Sequence, residues 1–227
     1  MKLAVLFSGG KDSVLAMHKA MKTDKVVCLI TLVSENKESY MFHTPNIGLT
    51  KLQAEAIGLP LIEKITKGVK EDELKDLKSA ISEARERFGI EGIVTGAVKS
   101  VYQAERIQKI CNDMGLKCIN PLWHIDERVL LEELIENGFR VMISGVFAYP
   151  LDKSWIGIII DKDVIEELVK LQEKYMISPV GEGGEIETTA LDAPFFTKTL
   201  EVIDYEVHWN GDSGILEVKK AVLRNKG

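Results

Sequence analysis

Six consecutive residues, Ser8-Gly9-Gly10-Lys11-Asp12-Ser13, combine the side chains and the backbone freedom that gripping a phosphate requires. Two glycines let the chain bend into a concave turn with its N–H groups pointing inward. A helix starting here would add the positive end of its dipole. Lys11 can neutralise phosphate charge, and Ser8 and Ser13 can donate hydroxyl hydrogen bonds. Asp12 beside phosphates makes sense if it holds a cation such as Mg²⁺. The segment is not a Walker A loop, since Val5 stands where the first Gly belongs and Asp12 where Ser or Thr belongs. A GxGxxG fingerprint is absent as well. The competing explanation is a plain glycine turn with a solvated Lys–Asp pair.

Two further stretches carry chemistry. In the first, Gly96 ends an apolar run and permits close approach of a ligand. Ser100 is placed to cap the helix that follows. Tyr102, Gln103 and Arg106 then fall in its first turns, where Arg106 can pair with a phosphate or a carboxylate. A helix start with surface polar residues explains this pattern equally well. The second stretch is Glu182-Gly183-Gly184-Glu185-Ile186-Glu187-Thr188. Acids flanking two glycines repel one another in a plain turn and suit a cation better. Glu185 and Glu187 share one side if the segment is extended. An acidic surface loop is the simpler alternative.

These stretches need elements to position them. Residues 2–7 read as a buried strand, 11–21 as a helix packed through Val14, Leu15, Met17 and His18, and 25–33 as a second strand. Helix is expected over 48–57, 71–88 and 101–114, and strand over 61–65, 90–95 and 117–120. Strand and helix thus alternate, which demands a parallel sheet covered by helices and joined by right-handed crossovers. Ligands in such sheets sit beyond the carboxyl ends of the strands. The loops at 8–13, 32–46 and 96–106 fall there. After Pro121 the rhythm changes. Helices are expected over 127–137 and 164–174, the latter capped by Asp163 and Glu166. Strands are expected over 139–147, 200–209 and 215–223, the last two joined by the turn signal Asn210-Gly211-Asp212-Ser213-Gly214. Residues 181–196 read only as a Gly- and acid-rich stretch. The expected class is α/β: a Rossmann-like α/β/α sandwich with a parallel sheet over 1–120, and a smaller mixed α+β lobe over 121–227 that binds substrate.

Composition excludes several functions. The formal charge of −6 argues against a general nucleic-acid binder, so no stable nucleic-acid partner is expected. The longest uninterrupted apolar run, from Trp155 to Ile160, is too short to cross a membrane. The start of the chain lacks the apolar length of a signal peptide, and a cytoplasmic protein is expected. Cys28, Cys111 and Cys118 form no CxxC, and the four histidines are scattered.

The SGGxDS sequence after the first strand resembles the PP-loop of the ATP pyrophosphatase superfamily. The shared step of that group is attack on the α-phosphate of ATP, giving an adenylated substrate and pyrophosphate. With residues 39–44, 96–106, and 181–188 continuing to Leu191-Asp192-Ala193-Pro194-Phe195, the chain resembles the diphthine–ammonia ligase family along nearly its whole length. Ile186 departs from the Tyr that many members carry. The short form expected here is archaeal in type and lacks the extra C-terminal domains of larger members.

The resemblance implies ATP as substrate with Mg²⁺, ammonium as nitrogen donor, and translation elongation factor 2 as the protein substrate. It makes Lys11, Asp12 and Arg106 catalytic, with Asp12 on the metal. ATP falls to Ser8, Gly9, Gly10, Lys11, Asp12, Ser13 and Gly96. The substrate falls to Tyr102, Gln103, Glu182, Gly183, Gly184, Glu185, Glu187 and Thr188. Tyr102 and Trp123 are candidates to hold a quaternary ammonium, and residues 40–44 to wall the adenine. No cysteine sits in a glutaminase context, so the chain is not expected to hydrolyse glutamine. A tRNA thiolase or lysidine synthetase, an amidase of a small carboxylate, and a non-catalytic ATP-binding protein are the alternatives. Whether the chain forms a homo-oligomer stays open.

Overall fold

The computed structural model describes residues 1–35, 46–69 and 72–226. The 40–44 stretch lies outside them. Five strands form one parallel sheet: β1 (Lys2–Leu6), β2 (Lys25–Ser34), β3 (Leu61–Thr66), β4 (Gly92–Val94) and β5 (Lys117–Ile119). Their order is β3-β2-β1-β4-β5. Between them run α1 (Lys11–Met21), a 3₁₀ turn at Ile47–Leu49 leading into α2 (Thr50–Ile57), α3 (Asp72–Phe88) and α4 (Val101–Asp113). The strand order reverses at β1 and β4, so a crevice opens beyond their carboxyl ends. The glycine loop and Gly96 lie at those two ends.

The strands are apolar on both faces because helices cover both. On one side Leu77, Ile81 and Ala84 of α3 and Ile107 and Ile110 of α4 pack onto Ala4, Ile30 and Ile93. On the other, Val14, Leu15 and Met17 of α1 join a larger core that continues into the rest of the chain. His18 is half-buried there, its ring 5.5 Å from that of Phe139 and 6.1 Å from that of Phe195. Cys28 and Cys111 are buried and Cys118 half-buried.

The remainder builds around a second sheet. It holds β6 (Arg140–Val146), β7 (Ile186–Asp192), β8 (Lys198–Trp209) and β9 (Gly214–Asn225), with α5 (Glu127–Glu136) and α6 (Lys162–Tyr175). The order is β7-β6-β9-β8, all antiparallel. The β8–β9 turn forms as expected: Asn210 Oδ1 accepts from Ser213 N at 2.9 Å. Two expectations need correction. The α6 cap is Asp161, whose carboxylate accepts from Val164 N at 2.9 Å. Asp163 therefore sits inside the first turn, and Glu166 is instead engaged with Arg128. The acid-rich stretch also contains a full strand, β7. Its three glycines, at 181, 183 and 184, mask the signal by lowering strand propensity just ahead of Ile186. Among the described residues no helix is long and apolar enough to cross a membrane.

Candidate active site

The loop between β1 and α1 is held from outside. Gly9 adopts φ +76°, a conformation glycine reaches without strain. Its carbonyl accepts from Ala190 N on β7 at 2.8 Å and from Gln53 Nε2 on α2 at 2.9 Å. Gln53 Nε2 also donates to Ala190 O at 2.8 Å, so one buried amide clamps loop and strand together. A Cβ at Gly9 would stand 2.1 Å from Gln53 Oε1. Lys11 N donates to Thr188 Oγ1 at 3.1 Å. Within the loop, Ser8 Oγ accepts from Gly10 N at 3.4 Å, and Ser13 Oγ donates to Gly10 O at 3.1 Å.

Gly96 makes room for the protein's own backbone. A Cβ there would lie 2.8 Å from the backbone of Asp12 and of Ser13. The glycine lets the end of β4 touch the start of α1. It still lines the cavity through its main chain.

That cavity measures about 630 Å³ and lies beyond the switch point of the parallel sheet. Ser8 to Ser13, apart from Gly9, line one side, and Glu182, Gly183, Gly184 and Glu187 another. Lys11 is only 2% exposed. Its Nζ lies 2.9 Å from Asp12 Oδ2 and donates to the Val180 carbonyl. Asp12 Oδ1 is buried with no hydrogen-bond partner among the described residues. A desolvated carboxylate oxygen left in that state is the donor a hard divalent cation takes, so the residues fit Mg²⁺.

The acidic segment sorts into separate tasks. Glu182 accepts from Lys99 N at 2.9 Å. Burial pushes its carboxyl above the usual range, opposed by that hydrogen bond and reinforced by Asp12. Burial pushes Glu187 up to about 7, opposed by Lys11 and reinforced by Asp12. Glu185 turns back onto its own loop instead, accepting from Ser178 N at 2.8 Å and Gly183 N at 2.9 Å. Thr188 is committed to Lys11 N. On α4, Ser100 caps as expected, accepting from Gln103 N at 3.4 Å, and Gln103 lines the cavity. Arg106 stacks on Tyr102, its guanidinium 3.4 Å from the ring centre. Trp123 packs edge-on against His124, ring centres 4.7 Å apart.

Glu187 makes stability depend on pH. Its folded pKa of about 7 lies above the ordinary 4.5, so the folded state holds the proton more tightly. Its contribution is favourable below about pH 4.5 and is lost as pH rises through 7. Glu187→Gln removes the charge altogether. It is expected to raise the melting temperature at pH 8 and to change it little at pH 5, with a ceiling of about 3 kcal/mol. Melting curves of both proteins across this range check it, and a constant difference would contradict the raised pKa.

Two residues that hold the site escape sequence reasoning. Gln53 is one; it is buried with Ala54, Ala56 and Ile57 on a helix that also carries Lys51 and Glu55, so its amide does not stand out in the sequence. Glu127 is the other, 7% exposed at the start of α5. It receives Lys99 Nζ at 2.8 Å, Gln172 Nε2 at 2.8 Å and Ser178 Oγ at 3.3 Å. It thereby joins the turn before α4 and the helix α6 to the acidic loop.

Family models place the chain. Residues 1–118 match the diphthamide synthase N-terminal domain and residues 126–223 the diphthamide synthase C-terminal domain. A diphthine–ammonia ligase of Homo sapiens is 33% identical over 227 residues, covering 91% of this chain and 85% of that protein. One of Schizosaccharomyces pombe is 32% identical over 241 residues, covering 98% of this chain but only 40% of the yeast protein. A solved structure described as a predicted subunit of tRNA methyltransferase from Methanocaldococcus jannaschii aligns with 85% of this chain and 97% of its own. Its TM-score is 0.44 at 19% identity, a likeness that bears on neither substrate nor activity. Matched by both domain models and along most of the human protein, the chain belongs to the diphthine–ammonia ligase family, the diphthamide synthases.

Proposed function

We propose that this chain amidates the diphthine carboxylate of translation elongation factor 2 with ammonium, consuming ATP and releasing AMP and pyrophosphate. One observation carries the reading beyond family membership: a single cavity holds both the phosphate-type loop at Lys11–Asp12 and the acidic walls at Glu182 and Glu187. A phosphate grip and a seat for a cationic substrate therefore share one space.

A carboxylate resists ammonia because its charge repels the nucleophile and its oxygen leaves poorly. Adenylation removes both obstacles. The substrate oxygen attacks the α-phosphorus, the bond to the β-phosphate oxygen breaks, and pyrophosphate departs. Ammonia then attacks the acyl carbon, the C–O bond to AMP breaks, and the nitrogen sheds its proton. The chain's contribution is positioning and charge. The loop amides and Lys11 hold the phosphates, and the helix α1 directs its positive end at them. Asp12 would hold Mg²⁺, which when bound neutralises phosphate charge. The reaction belongs in the cytoplasm, where ATP and the factor meet.

The test is incubation of the full chain with ATP, Mg²⁺, ammonium and diphthine-bearing factor. The expected products are AMP, pyrophosphate and a factor whose mass has changed by exchange of OH for NH₂. ADP, or no turnover, would overturn the reading. Glutamine in place of ammonium is expected to yield no glutamate.

A further inference from the structure

Phe147 follows β6, lines the cavity and is 41% exposed, so part of its ring is open to whatever enters there. Its position is built rather than incidental. Phe147 N donates to Glu185 O at 2.9 Å, which ties it to the acidic loop. The ring lies over Gly145, where a Cβ would come within 2.7 Å of it and within 3.2 Å of Glu187 Cβ. Gly145 is also the register partner of Glu187 across β6 and β7. The absence of a side chain at 145 thus lets the Phe147 ring settle beside Glu187, and both line the cavity.

An aromatic face beside a carboxylate suits one class of group in particular. A quaternary ammonium carries charge but no N–H donor, so hydrogen-bonding acceptors alone discriminate for it poorly. Its methyl groups meet a ring face well, and its charge is attracted by the ring quadrupole. Resting on the amidation reading above, we propose that Phe147, with Glu187 beside it, seats the quaternary ammonium of the modified side chain and sets the specificity for it.

The experiment compares Phe147→Leu, Phe147→Tyr and Phe147→Trp with the native chain. For Phe147→Leu, KM for diphthine-bearing factor is expected to rise about tenfold, with kcat within about threefold and ATP affinity unchanged. Tyr and Trp keep the ring face and are expected to retain native KM. Tetramethylammonium chloride serves as the direct probe, its binding to the protein followed by NMR titration independently of turnover. It is expected to bind the native chain and compete with the factor, as is choline, while 3,3-dimethylbutanol, the uncharged carbon analogue of choline, does not. Phe147→Leu is expected to weaken tetramethylammonium at least about fivefold. Native-like KM and native-like tetramethylammonium binding in Phe147→Leu would overturn the seat while leaving amidation intact. Loss of turnover in the native chain would overturn amidation, with the titration still deciding whether Phe147 binds the cation.

Discussion

Lys11→Met is expected to cut AMP formation by about 10²- to 10³-fold, the range seen when a single preorganised charge or donor is removed from a transition state. The lysine is 2% exposed and its ammonium touches Asp12, so it delivers its charge inside walls that exclude water. Charge there acts more strongly than at a surface. Methionine fills similar space, and the loop keeps its main-chain ties to Thr188, Ala190 and Gln53. The loss should therefore appear in turnover, with the circular dichroism spectrum unchanged. Arginine is not a safe replacement, since its planar fork is bulkier and differently hydrated. AMP production within about threefold of native would remove Lys11 from the chemistry.

Gly96→Ala is the second large effect. The added methyl would stand 2.8 Å from the carbonyl carbon of Asp12 and the nitrogen of Ser13. Both are backbone atoms at the start of a helix, so neither can rotate aside. Either β4 or the loop must move. Overpacking of this kind costs about 1–3 kcal/mol. A displacement approaching 1 Å at the reacting atoms costs about 10²-fold in rate. The expected result is a lower melting temperature together with AMP formation reduced by one to two orders of magnitude, about as for a misplaced catalytic group. Melting curves and single-turnover nucleotide analysis check the two parts separately. Native values for both would show that the contact yields easily.

The parallel sheet was legible because its signals are local. Apolar runs, each followed by a helical repeat, announce β1 to β5 within a few residues of their observed ends. The glycine turn at 8–13 was legible for the same reason, since strand, Gly-Gly and helix are neighbours in sequence. What remained hidden depends on distant pairing. Thr188 meets Lys11 across 177 positions, and Gln53 meets Ala190 across 137. No periodicity encodes either. Glu185 shows the limit from the other side. Alternation places it on the same face as Glu187, yet a glycine-rich bend turns its carboxylate back to Ser178 and Gly183. Gly96 was read as permitting close approach of a ligand, and the fold brings the protein's own helix close to it. Sequence identifies that a backbone must come near something; only the fold says what.

The ties between the loop and β7 bear on portability. Gly9 and Lys11 lie near the N-terminus of the described chain, but the groups that hold their backbone, Ala190 N and the Thr188 hydroxyl, come from the second sheet. The glycine loop with its strand and helix is therefore not a cassette. Grafted onto another carrier without β7, it would lose the two anchors that fix its curvature. A change in β7 that breaks either anchor is therefore expected to disturb the loop as directly as a change in the loop itself.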